Sequence, residues 1–214
     1  HPSNAFLNQS NINKQYLELN YLAAPNFNSA ISEYELFVDI LKSFDIEIHY
    51  LPKDKSTSLD SIYTHDPCVV SNKGVIICNM GKKIRLPEAD RMKKFFHSIE
   101  VPILGEIQSP GTLEGGDVVW INEKTIAVGE GYRTNKEGIE QLKLLLSDQV
   151  ETIITVSIPH WNGPHDCLHL MSNLSPIDHD LYLVYSRLLP VSFIKYLLDK
   201  NIELIDVPDD EYES

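Results

Sequence analysis

Residues 113–128 read Leu113-Glu114-Gly115-Gly116-Asp117-Val118-Val119-Trp120-Ile121-Asn122-Glu123-Lys124-Thr125-Ile126-Ala127-Val128. Two apolar runs hinge on Asn122 and Glu123, which predicts a β-hairpin from Val118 to Val128. Ahead of it stands an acid beside two glycines. Glycines at the mouth of a strand let backbone or ligand come close with no Cβ in the way, so Glu114 is expected to sit against a bound cation while the strand buries its flank. The competing reading is a plain bulge with Glu114 in solvent.

The same grammar recurs on both sides of this hairpin. Hairpin-like segments also run from Val69 to Cys78, around Asn72, Lys73 and Gly74, and from Leu170 to Tyr185. Between them lie helical patterns, each feeding a strand-like run. Ile31, Tyr34, Phe37, Val38 and Leu41 lead to Ile46 through Leu51. After Pro87, Met92, Phe95 and Phe96 lead to Val101, Ile103 and Leu104. After Thr134, read with Glu137 as a capping box, Ile139, Leu142, Leu145 and Leu146 lead to Ile153 through Ile158. After Pro190, Phe193, Ile194, Leu197 and Leu198 lead to Ile202, Leu204 and Ile205. Helices therefore start about every fifty residues, the mark of repeated α/β modules.

Composition narrows the function. With 214 residues and 43% hydrophobic content, the chain can bury a core as one domain, two small domains being the lesser alternative. A formal charge of -13 disfavours nucleic acid and anionic membrane as partners and favours a small cation. Cys68, Cys78 and Cys167 are odd in number and irregular in spacing, which suits reduced thiols in the cytoplasm. No secretory segment or long apolar run is present in the sequence. Because the chain opens on His1, it is read as having a cut N-terminus or as beginning inside a longer protein.

In each repeat the polar groups fall between the first strand and the hairpin: Asp60 and Asp66, then Glu114, then His169. A ring of modules would aim such positions at one axis. Carboxylates with an imidazole suit a guanidinium, whose planar N–H donors match carboxylate oxygens in pairs.

Thr112 to Asp117, the run Arg133-Thr134-Asn135 with Glu137 and Gly138, Leu168-His169-Leu170 and the acidic Val207 to Ser214 together resemble the dimethylarginine dimethylaminohydrolase branch of the guanidino-group-modifying enzymes. That superfamily also holds arginine deiminases and amidinotransferases. The resemblance implies the pentein fold, a pseudo-fivefold α/β propeller, of which residues 1–214 supply about four modules. It implies a cofactor-free hydrolase without metal, in which Glu114 holds the guanidinium and supports proton transfer while His169 is general acid and base. Asp66 and Asp60 match carboxylates that bind the substrate, and Arg85 and Arg133 match arginines that bind its α-carboxylate. A nucleophilic Cys is implied shortly after Pro208 to Ser214, and so beyond Ser214. Its thiolate attacks the guanidino carbon, and a His-activated water then hydrolyses the thiouronium to a ureido product such as citrulline. A missing module would come from further chain or from a partner, which leaves homo-oligomerisation open.

Two departures bear on the substrate. Met171 stands where deiminases and amidinotransferases carry an Asp, which favours a substituted guanidine over free arginine. His65 stands where the dimethylarginine hydrolases place Glu, which leaves the substrate's identity open. The alternatives are an amidinotransferase and a non-catalytic binding protein of the same fold. Among plainer readings, Asp60 and Asp66 could cap turns, Arg85 and Arg133 could be surface charges, and Cys167 could be a packed thiol. The spacing of His160, His165 and His169 invites zinc, but a segment rich in Pro and Gly offers no helical face to converge the rings.

Overall fold

Each of the three predicted hairpins forms in the computed structural model, which describes residues 1–164 and 168–212. The chain divides into two units: His1–Thr64 with Lys82–Val101, and His65–Gly81 with Pro102–Ser214.

The first unit is helical. It contains α1 (Pro2–Ala5), α2 (Gln9–Gln15), α3 (Phe27–Lys42) and α4 (Leu86–Ser98), with a 3-10 turn at Leu59–Ile62. Asn26 caps α3 by accepting from the Ser29 N–H at 2.9 Å, which starts the helix four residues ahead of its apolar pattern. Ala5, Phe6, Ile12, Leu19 and Leu59 form its buried cluster. The strand expected over Ile46 to Leu51 does not form: residues 46–54 are irregular and Ile46 is half exposed. β-propensity alone makes no strand, and among the described residues of this unit no other strand offers a hydrogen-bonding edge.

Among its described residues the second unit holds three sheets, each a hairpin followed by a parallel strand. The first joins β1 (Cys68–Ser71), β2 (Gly74–Ile77) and β3 (Ile103–Glu106). The second joins β4 (Val118–Asn122), β5 (Thr125–Glu130) and β6 (Thr152–Ser157), with α5 (Lys136–Leu145) in the crossover. The third joins β7 (Leu174–Asp178), β8 (Leu181–Val184) and β9 (Glu203–Asp206), with α6 (Val191–Asp199) in the crossover, and α7 (Asp209–Tyr212) follows.

The middle sheet is buried on both faces, because successive strand residues point to opposite sides. Val118, Ile126 and Val128 join a core with Val69, Ile76, Leu113 and Leu142, whereas Val119 and Ala127 join another with Leu174, Tyr182, Phe193 and Leu197. Truncating a fully buried leucine such as Leu142 to alanine is worth about 2–5 kcal/mol, so the strand that follows the glycine turn is firmly anchored.

The start of α5 differs from expectation. Asn135, not Thr134, is the cap: its Oδ1 accepts from the N–H groups of Gly138 and Thr112, both at 2.9 Å. Thr134 is left for another task. No helix among the described residues is long and apolar enough to cross a membrane.

Candidate active site

The glycine pair is occupied by protein, not by open space. Gly115 and Gly116 begin a 3-10 turn, Gly115–Asp117, between Glu114 and β4. A Cβ on Gly115 would lie 2.2 Å from the His65 carbonyl oxygen and 2.6 Å from that of Cys68. A Cβ on Gly116 would lie 2.6 Å from His169 Nδ1 and 2.8 Å from Asp66 Oδ1. The doublet thus lets two distant pieces of chain, 65–68 and 169, press against the turn. His65 closes one side, its Nε2 lying 3.1 Å from the Gly115 carbonyl oxygen.

Glu114 is fully buried. Its Oε1 accepts from the Gly81 N–H at 3.0 Å, and its Oε2 lies 2.8 Å from His169 Nε2. The Arg133 guanidinium, also buried, brings Nη1 to 3.3 Å from Oε2 and 3.5 Å from Oε1. The other ring nitrogen of His169, Nδ1, faces Asp66 Oδ1 at 3.9 Å. An imidazole with a carboxylate at each nitrogen is built to hold and release a proton. His169 also starts the 3-10 turn Leu170–Ser172, where its backbone N–H donates to the Ser172 hydroxyl at 3.1 Å. Met171, on that turn, is 36% exposed and adds no carboxylate.

Of the six residues expected at the site, the second unit therefore gathers Glu114, His169, Asp66 and Arg133. Donor atoms of the first three lie within 4.8 Å of one another, close enough for a metal ion as well as for an organic cation. Asp60 and Arg85 belong to the first unit. There the buried Asp60 carboxylate accepts from Lys82 Nζ at 2.7 Å. Arg85, 2% exposed, is no surface charge: Nε and Nη2 grip Glu88 at 3.0 and 2.8 Å, and Nη2 also donates to the carbonyls of Asp60 and Tyr63 at 3.2 Å.

Two residues in the quoted motifs have contacts that no sequence pattern assigned. Asp117 and Thr134 are both buried, and the Thr134 hydroxyl donates to Asp117 Oδ2 at 2.6 Å. The available signal was composition, an acid after two glycines, but an acid beside a strand reads equally well as a cap. Burial drives the Asp117 carboxyl up from its ordinary value to about 6, against the pull of His169 and of its own hydrogen bonds.

The described cysteines sit in the first hairpin as free, buried thiols. Burial pushes Cys68 up to about 11 and Cys78 well above the ordinary thiol range, so neither supplies a thiolate at neutral pH. Cys167 and His165 lie outside the described residues. His160, the remaining member of the zinc spacing, brings Nδ1 to 2.6 Å from the Tyr132 hydroxyl.

The buried carboxylate–imidazole pair thus sits beside three sheets of one repeated pattern, a hairpin followed by a parallel strand. The arginine deiminase family matches residues 58–203, and the chain belongs to that family. The dimethylarginine dimethylaminohydrolase of Pseudomonas aeruginosa is 24% identical over 195 residues, covering 91% of this chain and 72% of that protein. An uncharacterized protein of Aeropyrum pernix is 27% identical over 199 residues, covering 91% and 68%. The arginine deiminase of Listeria welshimeri is 32% identical over 106 residues, covering 45% and 26%.

Among solved structures, the Pseudomonas aeruginosa enzyme, as a cysteine-to-serine mutant complexed with citrulline, matches with a TM-score of 0.74 at 24% identity. The match covers 89% of this chain and 70% of that one. The N-terminal domain of ArgZ, a cyanobacterial arginine dihydrolase, bound to product, matches with a TM-score of 0.73 at 16% identity, covering 87% and 66%. The fold class expected from the sequence, a pentein-type α/β arrangement, is the one these neighbours share.

Proposed function

We propose that this chain is a guanidino-group hydrolase acting on an arginine-like substrate through a covalent thiouronium, with Glu114 and His169 as its acid–base groups. One observation carries the reading: a buried histidine and glutamate in contact at 2.8 Å, with a second carboxylate at the other ring nitrogen and a guanidinium already within reach of the glutamate. The Arg133 guanidinium beside Glu114 supports a role for that carboxylate in receiving a planar cation. Family membership supports the same chemistry.

In this reading Asp66 and Glu114 hold the substrate guanidinium, with Arg133 directed to its α-carboxylate. A cysteine thiolate adds to the guanidino carbon, forming a C–S bond. His169 gives its proton to the departing amine as the C–N bond breaks. The neutral imidazole then takes a proton from water as the water attacks the thiouronium carbon. Cleavage of the C–S bond returns the thiolate and releases a ureido product, so the net reaction is guanidine plus water to urea plus amine. Cys68 and Cys78, as buried thiols held above the ordinary thiol range, are unsuited to attack. Asp60 and Arg85 are assigned to substrate binding by family resemblance alone. The reduced thiols and acidic surface support a cytoplasmic protein with a small cationic substrate.

The test is ureido-product formation by the full-length chain on methylated arginines, arginine and agmatine, with and without a chelator. Glu114→Gln and His169→Asn are expected to lower kcat at least a hundredfold, with Asp60→Asn and Arg85→Lys raising KM. Activity is expected to survive EDTA, since no step uses a metal. Loss with EDTA would move Asp66, Glu114 and His169 to a metal site. Amidino transfer to an added amine in preference to water would replace hydrolysis, and binding without turnover would leave a pure binding protein.

A further inference from the structure

The mechanism above gives Asp117 and Thr134 nothing to do, although both are buried a few ångströms from its two principal groups. Thr134 is 0% and Asp117 1% exposed. Asp117 Oδ1 accepts from the backbone N–H of Leu170, the residue after His169, at 2.9 Å. Its Oδ2 accepts from the Thr134 hydroxyl at 2.6 Å. The Thr134 oxygen in turn accepts from the backbone N–H of Glu114 at 3.1 Å.

Each proton in this chain has one direction. The Glu114 N–H points to Thr134, the Thr134 O–H to Asp117, and the Leu170 N–H to Asp117 from the other side. The pocket is built tightly around the carboxylate, since a Cβ on Gly129 of β5 would lie 2.6 Å from Oδ1. Three segments far apart in sequence, 114–117, 133–134 and 169–170, thus meet on one side chain.

We propose that Asp117 and Thr134 are positioning residues that fix the backbones of Glu114 and of the His169–Leu170 step, and thereby the aim of His169 Nε2 at the Glu114 carboxylate. The acid suits the task because it offers two acceptors to donors arriving from opposite sides, which an alkyl side chain cannot do. Displacements of about 1 Å at reacting groups cost up to about a hundredfold in rate, so a pin of this kind acts on the catalytic step rather than on substrate affinity.

The kinetic part of the test rests on the hydrolase reading, so a second readout is independent of it. Thr134→Val, equal in shape to threonine, removes the acceptor for Glu114 and the donor for Asp117, whereas Thr134→Ser keeps both. In the full-length chain, Thr134→Val is expected to lower kcat about tenfold to a hundredfold with KM within about twofold, and Thr134→Ser to restore kcat to within about threefold. In the same chain, the NMR ring signals of His169 are expected to move in Thr134→Val and return in Thr134→Ser. Asp117→Asn, similar in volume, keeps one of the two acceptors and provides the same signature should the valine variant not fold. Equal losses in valine and serine variants, or a lowered Tm with kcat and ring signals unchanged, would make the pair merely structural and overturn the proposal. A wild-type chain that turns over no guanidine would sink the hydrolase reading alone, and the His169 ring signals would still decide this one.

Discussion

At the scale of one residue, Asp117 is held ionised at neutral pH at an energetic cost. Its carboxyl is raised from 3.8 to about 6, chiefly by burial. Between about pH 4 and pH 6 the folded chain therefore binds a proton that the unfolded chain does not, so this group's contribution falls as pH rises through that window. Above about pH 6 both states are ionised and the penalty stays constant. The expected outcome is that wild type gains stability relative to Asp117→Asn as pH drops from 6.5 to 4.5, by on the order of 1 kcal/mol per pH unit. Parallel thermal or urea melts of the two proteins across that range read the difference. Identical pH slopes would show that the carboxyl titrates normally.

At the scale of the element, the turn Gly115–Asp117 separates stability from activity between neighbouring positions. Alanine at Gly115 meets the backbone oxygens of His65 and Cys68, at 2.2 and 2.6 Å, so main chain has to move. Alanine at Gly116 meets side chains instead, the His169 ring at Nδ1 and Cγ and the Asp66 carboxylate. Gly115→Ala is therefore expected to lower stability by about 1–3 kcal/mol, in the range of overpacked cores. Gly116→Ala is expected to lose less than about 1.5 kcal/mol while kcat falls at least tenfold, because the ring it displaces is the proposed proton carrier. Urea titration with a kinetic assay of each variant distinguishes the two, and the reverse pattern would mean the packing at this turn is misassigned.

This turn also marks how far its own sequence could be read. The doublet Gly115-Gly116 announces a close approach, but not of what. Only residues 65–68 and 169, some fifty positions away on either side, answer that question. Thr134 makes the same point from the other direction. The spacing to Glu137 reads locally as a capping box, yet the hydroxyl serves Asp117, and the neighbouring Asn135 takes the cap. A buried acceptor outcompetes an exposed helix end, because leaving Asp117 without its donor would cost more than shifting the cap by one residue.

At the scale of the whole molecule, the formal charge of -13 sets a field that attracts cations. Screening weakens it: the Debye length shrinks from about 30 Å at 0.01 M salt to about 8 Å at 0.15 M. For a guanidine substrate, kcat/KM is expected to fall as salt rises, more steeply for doubly charged agmatine than for an arginine derivative of single net charge. Initial rates at several salt concentrations check this. A slope of zero for both would confine substrate attraction to the buried acids.

Local periodicity carried the repeat. Alternating runs bounded by polar pairs, and helices starting at similar intervals, are short-range patterns, so the three hairpins, α4, α5, α6 and the parallel strands β3, β6 and β9 are all legible in the sequence. The candidate acids and the histidine were legible too, as residue types at recurring places. What the tertiary structure alone decided was partnership. Residues 46–51 hold a strand-like pattern but find no strand to pair with among the described residues of their unit, Arg85 pairs with Glu88, and Asp117 with Thr134 ties together the backbones of Glu114 and Leu170. Propensity and period act over a few residues, whereas a hydrogen bond in a buried pocket depends on where segments fifty residues apart come to rest.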